Sequence, residues 1–239
     1  VFVGCGNNSA SNEGKVTITV SGSTSVGPLM EKIAEKYEEE NSDVSIEINQ
    51  TGSSAGIKDA MDGISDIGLS SRDLKGEEAS KVQSTVLAYD GVAVITNTSN
   101  PIKELTIEQI RDIFTGKITN WNQIGGNDSP IVVVSRETGS GTRTAFEEGV
   151  GYSEEELVKT ATISKGNGDV KTTVSTNENA IGFVSFEYLD DAISAINING
   201  IKPTAENVKA GSYVLSRPFL AVTNEQYVTE DAKNLIDYI

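Results

Sequence analysis

Three short segments of the sequence combine glycine with hydroxyl residues, and each stands between a predicted strand and a predicted helix. The segments are residues 21–25 (SGSTS), 52–56 (GSSAG) and 136–143 (RETGSGTR). Each would bring free backbone N–H groups, hydroxyl donors and the positive end of a helix dipole to one point. A tetrahedral oxyanion offers mostly acceptor lone pairs, so the three segments together indicate a pocket for such an anion.

Arginines are concentrated at the same places. Arg72, Arg136 and Arg143 lie in or beside these segments, whereas the whole chain contains only five arginines. The guanidinium of Arg136 can give two parallel N–H bonds to two anion oxygens, a geometry that lysine cannot match. Arg72 and Arg143 have an alternative explanation as partners in structural ion pairs, with Asp73 or Glu147.

The second segment also has the pattern of an enzyme motif. Residues 52–56 fit the G-x-S-x-G turn that carries the serine nucleophile of some hydrolases. That arrangement needs a histidine base, and the chain contains no histidine. A dyad of Ser54 and Lys58 is the alternative that is left. We expect no catalytic residue, no cofactor and no metal site, so the protein is predicted not to be an enzyme.

The composition argues against two further classes of function. The chain has 239 residues and a formal net charge of −16, so it offers no basic surface for nucleic acid. No run of 18 apolar residues is present, so no segment is predicted to span a bilayer. The acidic runs at 38–40 and 154–156 are predicted to be solvated helix faces. Charges more than about 8 Å from a pocket are screened at physiological salt, so the net charge is compatible with anion binding.

The N-terminus has the pattern of a membrane address. Residues 1–5 read VFVGC, and residues 6–14 are rich in Asn, Ser and Gly. This pattern resembles the end of a bacterial lipoprotein signal peptide, with Cys5 as the lipidated residue and the polar run as a flexible tether. Residues 1–14 are therefore predicted to be a signal remnant and tether. The alternative is a buried cysteine near a frayed terminus.

The elements that position the three segments alternate between strand and helix. Residues 16–20 and 44–48 alternate apolar and polar side chains and predict strands, and residues 66–72 predict a short third strand. Apolar residues between 29 and 37 fall on one helical face, and a further helix is predicted at 57–61. The order strand, loop, helix, strand predicts an α/β fold with a mostly parallel sheet.

The second half of the chain continues the same pattern. Strands are predicted at 92–95, 131–134 and 181–184, and the strand at 131–134 leads directly into the arginine-flanked segment. Helices are predicted to start at 106–109, where Thr106 and Gln109 form a capping box, at 153–156, and near the end of the chain at 232–239.

With these motifs, the chain resembles the phosphate-binding lipoprotein of the high-affinity bacterial phosphate ABC transporter. The likeness runs from about residue 16 to the end, and its motifs together are far more specific than any single glycine loop. The segments that carry it are residues 22–25, 52–56, 66–72, 90–94, 113–121, 136–142 and 180–184.

The resemblance implies a two-lobed periplasmic binding protein-like fold of type II, with a mixed, mostly parallel sheet in each lobe. Residues 15–90 and 180–239 would form one lobe and residues 91–179 the other, joined by two hinge crossovers. An anion between the lobes would hold them closed, because it binds the closed state more tightly than the open one. The protein is expected to act as a monomer.

The resemblance also implies which residues bind the anion, by matching motif to motif. The expected phosphate-binding residues are Thr24, Ser25 and Ser53 from one lobe and Arg136, Ser140, Gly141 and Thr142 from the other.

The sequence departs from the family pattern at two places near this site. Well-studied members have an aspartate where Ser71 stands, and that carboxylate accepts the proton of hydrogen phosphate and repels fully ionised sulfate. Here Ser71 would accept through an oxygen lone pair and Arg72 would add a donor, so both are included among the expected ligand-binding residues. The family also has an aspartate two residues after its arginine, where this chain has Thr138, preceded by Glu137.

The function that the resemblance implies is capture of inorganic phosphate outside the cytoplasm and its delivery to a membrane-embedded ABC permease. The protein would be anchored to the outer face of the bacterial cell membrane through a lipid on Cys5, its one contact with the membrane. Three alternatives stay open at this point. They are another oxyanion on the same scaffold (sulfate, molybdate or an organophosphate), a phosphatase or serine hydrolase, and a structural or adhesion protein whose cleft has no ligand.

Overall fold

The computed structural model describes residues 14–239, so Cys5 and nearly all of the predicted tether lie outside the described residues. Over that range the strands β1 to β11 are Val16–Gly22, Val44–Asn49, Ile67–Ser70, Gln83–Asn97, Glu104–Leu105, Val132–Arg136, Thr162–Ser164, Ala180–Ser185, Ile193–Ala195, Asn197–Ile198 and Ser216–Thr223. The helices α1 to α8 are Gly27–Glu40, Ser53–Met61, Glu78–Lys81, Ile107–Phe114, Gly141–Val150, Gly166–Thr176, Ala205–Lys209 and Glu230–Tyr238.

Nine of the strands form a mixed sheet whose order is β2-β1-β3-β11-β4-β8-β6-β7, with β9 paired to β4, and β5 and β10 pair with each other in a separate small sheet. At one end β1 pairs in parallel with β2 and β3, and at the other β6 pairs in parallel with β7 and β8. Between these two parallel groups, β11 and β4 pair antiparallel with each other and with their neighbours. The predicted α/β class with a mixed sheet is confirmed.

Each glycine segment connects the end of a strand to the start of a helix, as predicted. β1 leads into α1, β2 into α2 and β6 into α5. Gly22 is required at the first of these turns, because its φ is 137° and an added Cβ would overlap with the carbonyl oxygen of Leu69 on β3. Since β1 and β2 are parallel neighbours, the loops that follow them lie at the same edge of the sheet.

Two hydrophobic bodies lie on either side of the middle of the sheet. The first is formed by apolar side chains of β1, β3, β11, α1 and α8, including Ile18 and Phe219. The second is formed by β4, β6, β8, α4 and α5, and its centre is aromatic. There the rings of Phe146 and Phe183 stack with their centroids 4.1 Å apart, and Phe114 packs edge-on against Phe146.

The chain passes between these two bodies twice, which produces two crossovers. β4 pairs with β11 up to Gly91 and with β8 from Val92 onward. The chain crosses back from the second body to the first between Leu215, which packs in the second body, and Phe219, which packs in the first.

The segment 180–215 packs differently from the expected division of the lobes. The expectation grouped it with residues 15–90, but β8 pairs with β6 and β4. Ile181, Ile198 and Leu215 also lie in the same core as Phe114. We therefore place the second boundary near residue 215 rather than residue 180, because β8 completes the sheet of the second body.

Two local predictions are also resolved. The capping box at Thr106 and Gln109 is confirmed at the start of α4. The helix expected from 153–156 is a single 3₁₀ turn, Glu154–Glu156, whose carboxylates are exposed. Among residues 14–239, no helix is both long enough and apolar enough to cross a bilayer.

Candidate functional site

The N-termini of α1, α2 and α5 meet in one buried region between the two bodies. Ser25 Oγ, just before α1, lies 2.8 Å from Thr142 Oγ1 in the first turn of α5. A Cβ added to Gly141 would overlap with Ser53 Oγ at the start of α2 and would lie 2.7 Å from Ser71 Oγ. Because the first N–H groups of a helix have no partner within it, this region combines backbone donors with the positive ends of three helix dipoles.

The residues expected to bind an anion are almost all gathered here. Ser140 caps α5, and its hydroxyl accepts a hydrogen bond from the backbone N–H of Arg143 at 3.2 Å. Thr24 is half-buried, and the buried members of the set are Ser25, Ser53, Ser71, Arg136, Ser140, Gly141 and Thr142.

Arg136 is the most deeply buried arginine of this region, with only 1% of its surface exposed. Its Nε and Nη2 donate to the two carboxylate oxygens of Glu137, each at 2.7 Å, and Nη2 also donates to Thr24 Oγ1 at 3.4 Å. Its Nη1 is buried and has no partner among residues 14–239. A buried N–H group without an acceptor is costly, which makes Nη1 a candidate donor to an acceptor from outside the protein.

Glu137 holds Arg136 in place in this chain, which has Thr138 where the family has an aspartate. Burial of the Glu137 carboxyl opposes ionisation, but the hydrogen bonds and charge of Arg136 outweigh burial, and the pKa of Glu137 lies below its ordinary value. The carboxylate also accepts from the backbone N–H of Gly166 at 3.3 Å. Thr138 has a different partner, because its hydroxyl donates to Glu154 at 2.7 Å.

Arg143 is a structural residue that supports Arg136. Its Nε donates to Glu147 at 2.6 Å, which confirms the ion pair considered from the sequence. Its Nη1 donates to the backbone carbonyl of Arg136 at 3.0 Å. Arg143 therefore fixes the strand end from which the Arg136 side chain projects.

Arg72 does not have the geometry expected of a ligand donor. Its Nη1 donates to Glu78 and to the carbonyl of Asp73, both at 2.8 Å. Its Nη2 donates to Glu78 at 2.9 Å and to Ser54 Oγ at 3.1 Å. These hydrogen bonds from Arg72 lower the pKa of Glu78. Because both terminal nitrogens already have acceptors, we remove Arg72 from the expected binding set and assign it a structural role.

Ser71 belongs to a small network of serines. Its Oγ accepts from Ser23 Oγ at 2.9 Å and lies 3.3 Å from Ser53 Oγ. Its backbone N–H donates to Ser53 Oγ at 3.1 Å. The position that carries an aspartate in well-studied relatives is thus a neutral hydroxyl that faces another hydroxyl.

Arg217 is a second buried guanidinium at the site, and it was not among the residues predicted from the sequence. Its Nη2 donates to Ser25 Oγ at 3.0 Å and to Asp90 at 2.9 Å, opposite which it lies in the β4–β11 ladder. Its Nη1 donates to the carbonyl of Ser71 at 3.4 Å. Burial raises the pKa of Asp90, and the charge of Arg217 opposes that rise. No local sequence pattern identified this arginine, because its partners lie more than a hundred residues away along the chain.

Asn167 was also absent from the predicted site residues, although the sequence around it has a pattern that could have identified it. It follows β7 and Gly166 at the start of α6, which repeats the order of strand, glycine, polar residue and helix. Its side-chain Nδ2 donates to Thr24 Oγ1 at 3.0 Å and to Ser25 Oγ at 2.9 Å. The second body therefore holds the loop before α1 directly.

The assembled groups suit an oxyanion rather than a cation. They are hydroxyls, backbone N–H groups and a guanidinium, and the carboxylates nearby are paired with arginines. In the described part of the chain, no cluster of three or more His, Cys, Asp and Glu side chains could hold a metal ion. A small anion with several acceptor oxygens would find donors from both bodies.

The sequence and the fold of this chain are similar to those of known proteins. A family model described as a PBP superfamily domain matches residues 7–239. The phosphate-binding protein PstS of Bacillus subtilis (strain 168) is 34% identical over 238 residues, which cover 97% of this chain and 78% of that protein.

Two solved structures resemble the chain over almost its full length. A Clostridium perfringens protein, assigned as a phosphate ABC transporter substrate-binding protein and solved with bound phosphate, is 57% identical with a TM-score of 0.92. That match covers 94% of this chain and 93% of the other. An ABC-type phosphate transport receptor from Vibrio cholerae is 38% identical with a TM-score of 0.77, and the match covers 93% of each chain. The expected periplasmic binding protein-like fold is confirmed.

Proposed function

Because this chain belongs to the family of the phosphate-binding proteins PstS, within the PBP superfamily, we propose that it captures inorganic phosphate between its two bodies and delivers it to an ABC transporter. The family consists of transporter substrate-binding proteins and not of enzymes. The observation that carries the proposal is Nη1 of Arg136, a buried cationic donor that lacks an acceptor within residues 14–239, on a guanidinium that also contacts Thr24 in the loop before α1.

In the proposed complex, phosphate lies between the start of α5 and the loops before α1 and α2. Arg136 Nη1 would donate to one or two of its oxygens, and the free N–H groups at the start of α5 would donate to others. The proposed ligand-binding residues are Thr24, Ser53, Ser71, Arg136, Ser140, Gly141 and Thr142, and Ser25 supports Thr142 through their 2.8 Å contact.

Proteins of this family act outside the cytoplasm. We further propose that Cys5 carries a lipid that anchors the protein to the outer face of the membrane and that the protein acts as a monomer. Incorporation of a labelled fatty acid into the full-length precursor, and its loss on Cys5→Ser, would test the anchor. Labelling that persists in the serine variant would contradict it.

The function is tested by titrating ligand-stripped protein with inorganic phosphate in a calorimeter. We expect saturable one-to-one binding and a rise in the melting temperature, because a ligand that binds only the folded state stabilises it. Absence of binding by phosphate would overturn the proposal, and tighter binding of molybdate or an organophosphate would reassign the ligand.

Replacing Ser71 by aspartate is expected to raise the preference for phosphate over sulfate by roughly tenfold or more. A carboxylate there would accept the proton of hydrogen phosphate in a charge-assisted hydrogen bond and would repel sulfate, which has no proton to offer. Competition titrations with the two anions at one pH measure the ratio. Ser80→Asp is the matched control, because it adds the same charge at an exposed position of the same body. An unchanged ratio in Ser71→Asp would show that residue 71 does not face the ligand.

A further inference from the structure

The hydroxyls of Thr24 and Ser25 have no acceptor capacity left. Ser25 Oγ accepts from Asn167 Nδ2 at 2.9 Å and from Arg217 Nη2 at 3.0 Å. Thr24 Oγ1 accepts from Asn167 Nδ2 at 3.0 Å and from Arg136 Nη2 at 3.4 Å. A hydroxyl oxygen has two lone pairs and one proton, so each of these side chains can now only donate.

The orientation of the Asn167 amide follows from its other contact. Its Oδ1 lies 3.0 Å from the backbone N–H of Ser185, which can only donate. The oxygen of the amide must therefore face Ser185, and both N–H bonds of Nδ2 must face the loop before α1. Asn167 has no solvent exposure, so water does not compete for these bonds.

The direction of the hydrogen bond between the two bodies is settled by the same count. Since Ser25 Oγ can only donate, it donates its proton to Thr142 Oγ1 across the 2.8 Å contact. Thr142 Oγ1 then keeps its own proton and one lone pair. Asn167 and Arg217 thus leave the hydroxyls of Thr24 and Ser25 without an acceptor for a ligand O–H.

The serines on the other side keep an acceptor. Ser53 Oγ accepts from the N–H of Ser71, and Ser71 Oγ accepts from Ser23, so each oxygen retains one lone pair and one proton. Their mutual hydrogen bond at 3.3 Å uses one proton and one lone pair. Whichever serine donates, the pair still offers one donor and one acceptor to a ligand.

We propose that Asn167 is a positioning residue that sets which face of the bound phosphate is protonated, a role that rests on the proposed function. By filling the lone pairs of Thr24 and Ser25, it excludes a ligand O–H from those two hydroxyls. The protonated oxygen of hydrogen phosphate then turns to hydroxyls that keep a lone pair, among them the Ser53–Ser71 pair, which stands where the carboxylate is missing. Asn167 need not touch the anion to impose this orientation.

The test is the ratio of sulfate to phosphate dissociation constants in Asn167→Asp. An aspartate can still accept from Ser185, but it also accepts from Thr24 and Ser25 and so frees a lone pair of Thr24 to face the ligand. Such a lone pair accepts the proton of hydrogen phosphate and repels sulfate, so we expect the ratio to rise roughly tenfold. Both anions are dianions, so the added negative charge weakens the binding of both equally, and its effect cancels in the ratio of the dissociation constants.

Asn177→Asp is the matched control, because it adds the same charge at the far end of the same helix. There the side chain still accepts from the backbone N–H of Asn179. Its ratio should equal that of the unmodified protein. If Asn167→Asp binds neither anion, Asn167→Ala decides, since loss of the amide frees the same lone pairs without adding charge and should raise the ratio about threefold. An unchanged ratio in a folded variant that binds phosphate overturns the inference, whereas failure of the unmodified protein to bind phosphate overturns the proposed function.

Discussion

Replacing Arg136 by alanine is expected to weaken phosphate binding by about 2–4 kcal/mol, roughly 30-fold to 900-fold. The variant loses the two unpartnered N–H bonds of Nη1, which are the buried charge-assisted donors available to the anion. It also leaves the carboxylate of Glu137 without its cation, so a negative charge is left beside the binding region. Calorimetric titration with phosphate measures the loss.

Arg111→Ala is the control for loss of a positive charge, because the Arg111 side chain is 40% exposed on the second body. Its affinity should match that of the unmodified protein. Arg136→Lys should be nearly as weak as the alanine variant, since lysine keeps the charge but cannot bond Glu137 and the anion in one plane. Near-normal affinity in Arg136→Ala would remove this residue from the site.

Replacing Gly141 by alanine is expected to weaken phosphate binding by about 1–3 kcal/mol, roughly 5-fold to 150-fold. The new Cβ would overlap with Ser53 Oγ and lie 2.7 Å from Ser71 Oγ, both of which belong to the other body. The backbone of Gly141 is helical, so alanine itself introduces no strain there. The substitution should therefore oppose closure of the two bodies without destabilising either of them.

Gly168→Ala separates this effect from a general change in a helix. Gly168 lies in the first turn of α6, and a Cβ added there meets nothing within 4 Å. Its phosphate affinity should be unchanged. Melting temperatures without phosphate should be similar in both variants, whereas phosphate should stabilise Gly141→Ala less. Equal affinities would show that the start of α5 does not close against Ser53 when the ligand binds.

The three loops could be predicted because their chemistry is local. Glycine beside hydroxyl residues after an alternating strand specifies a tight turn followed by a capped helix, and neighbouring residues alone decide that geometry. The same holds for the capping box at Thr106 and for the α/β class. The expected lobe boundary at 180 did not anticipate the pairing of β8, because strand pairing is not local. The sequence shows that β8 is a strand, but not that its neighbours are β6 and β4.

The arginines show in the same way that non-local contacts cannot be predicted from neighbouring residues. Arg72 and Arg136 both stand beside a glycine and serine segment, and both were expected to bind the anion. They differ only in their partners: Glu78 and Ser54 occupy the terminal nitrogens of Arg72, whereas Glu137 leaves one nitrogen of Arg136 without an acceptor. A side chain's free donors depend on what folds against it.

The residues of the three loops were thus enough to predict a small-anion site at helix N-termini, because turn and cap propensities are properties of a few adjacent residues. The tertiary structure alone decided which donors are left for that anion. Hydrogen-bond capacity is finite, and contacts such as those of Asn167 and Arg217 with Ser25 use it up across long stretches of chain.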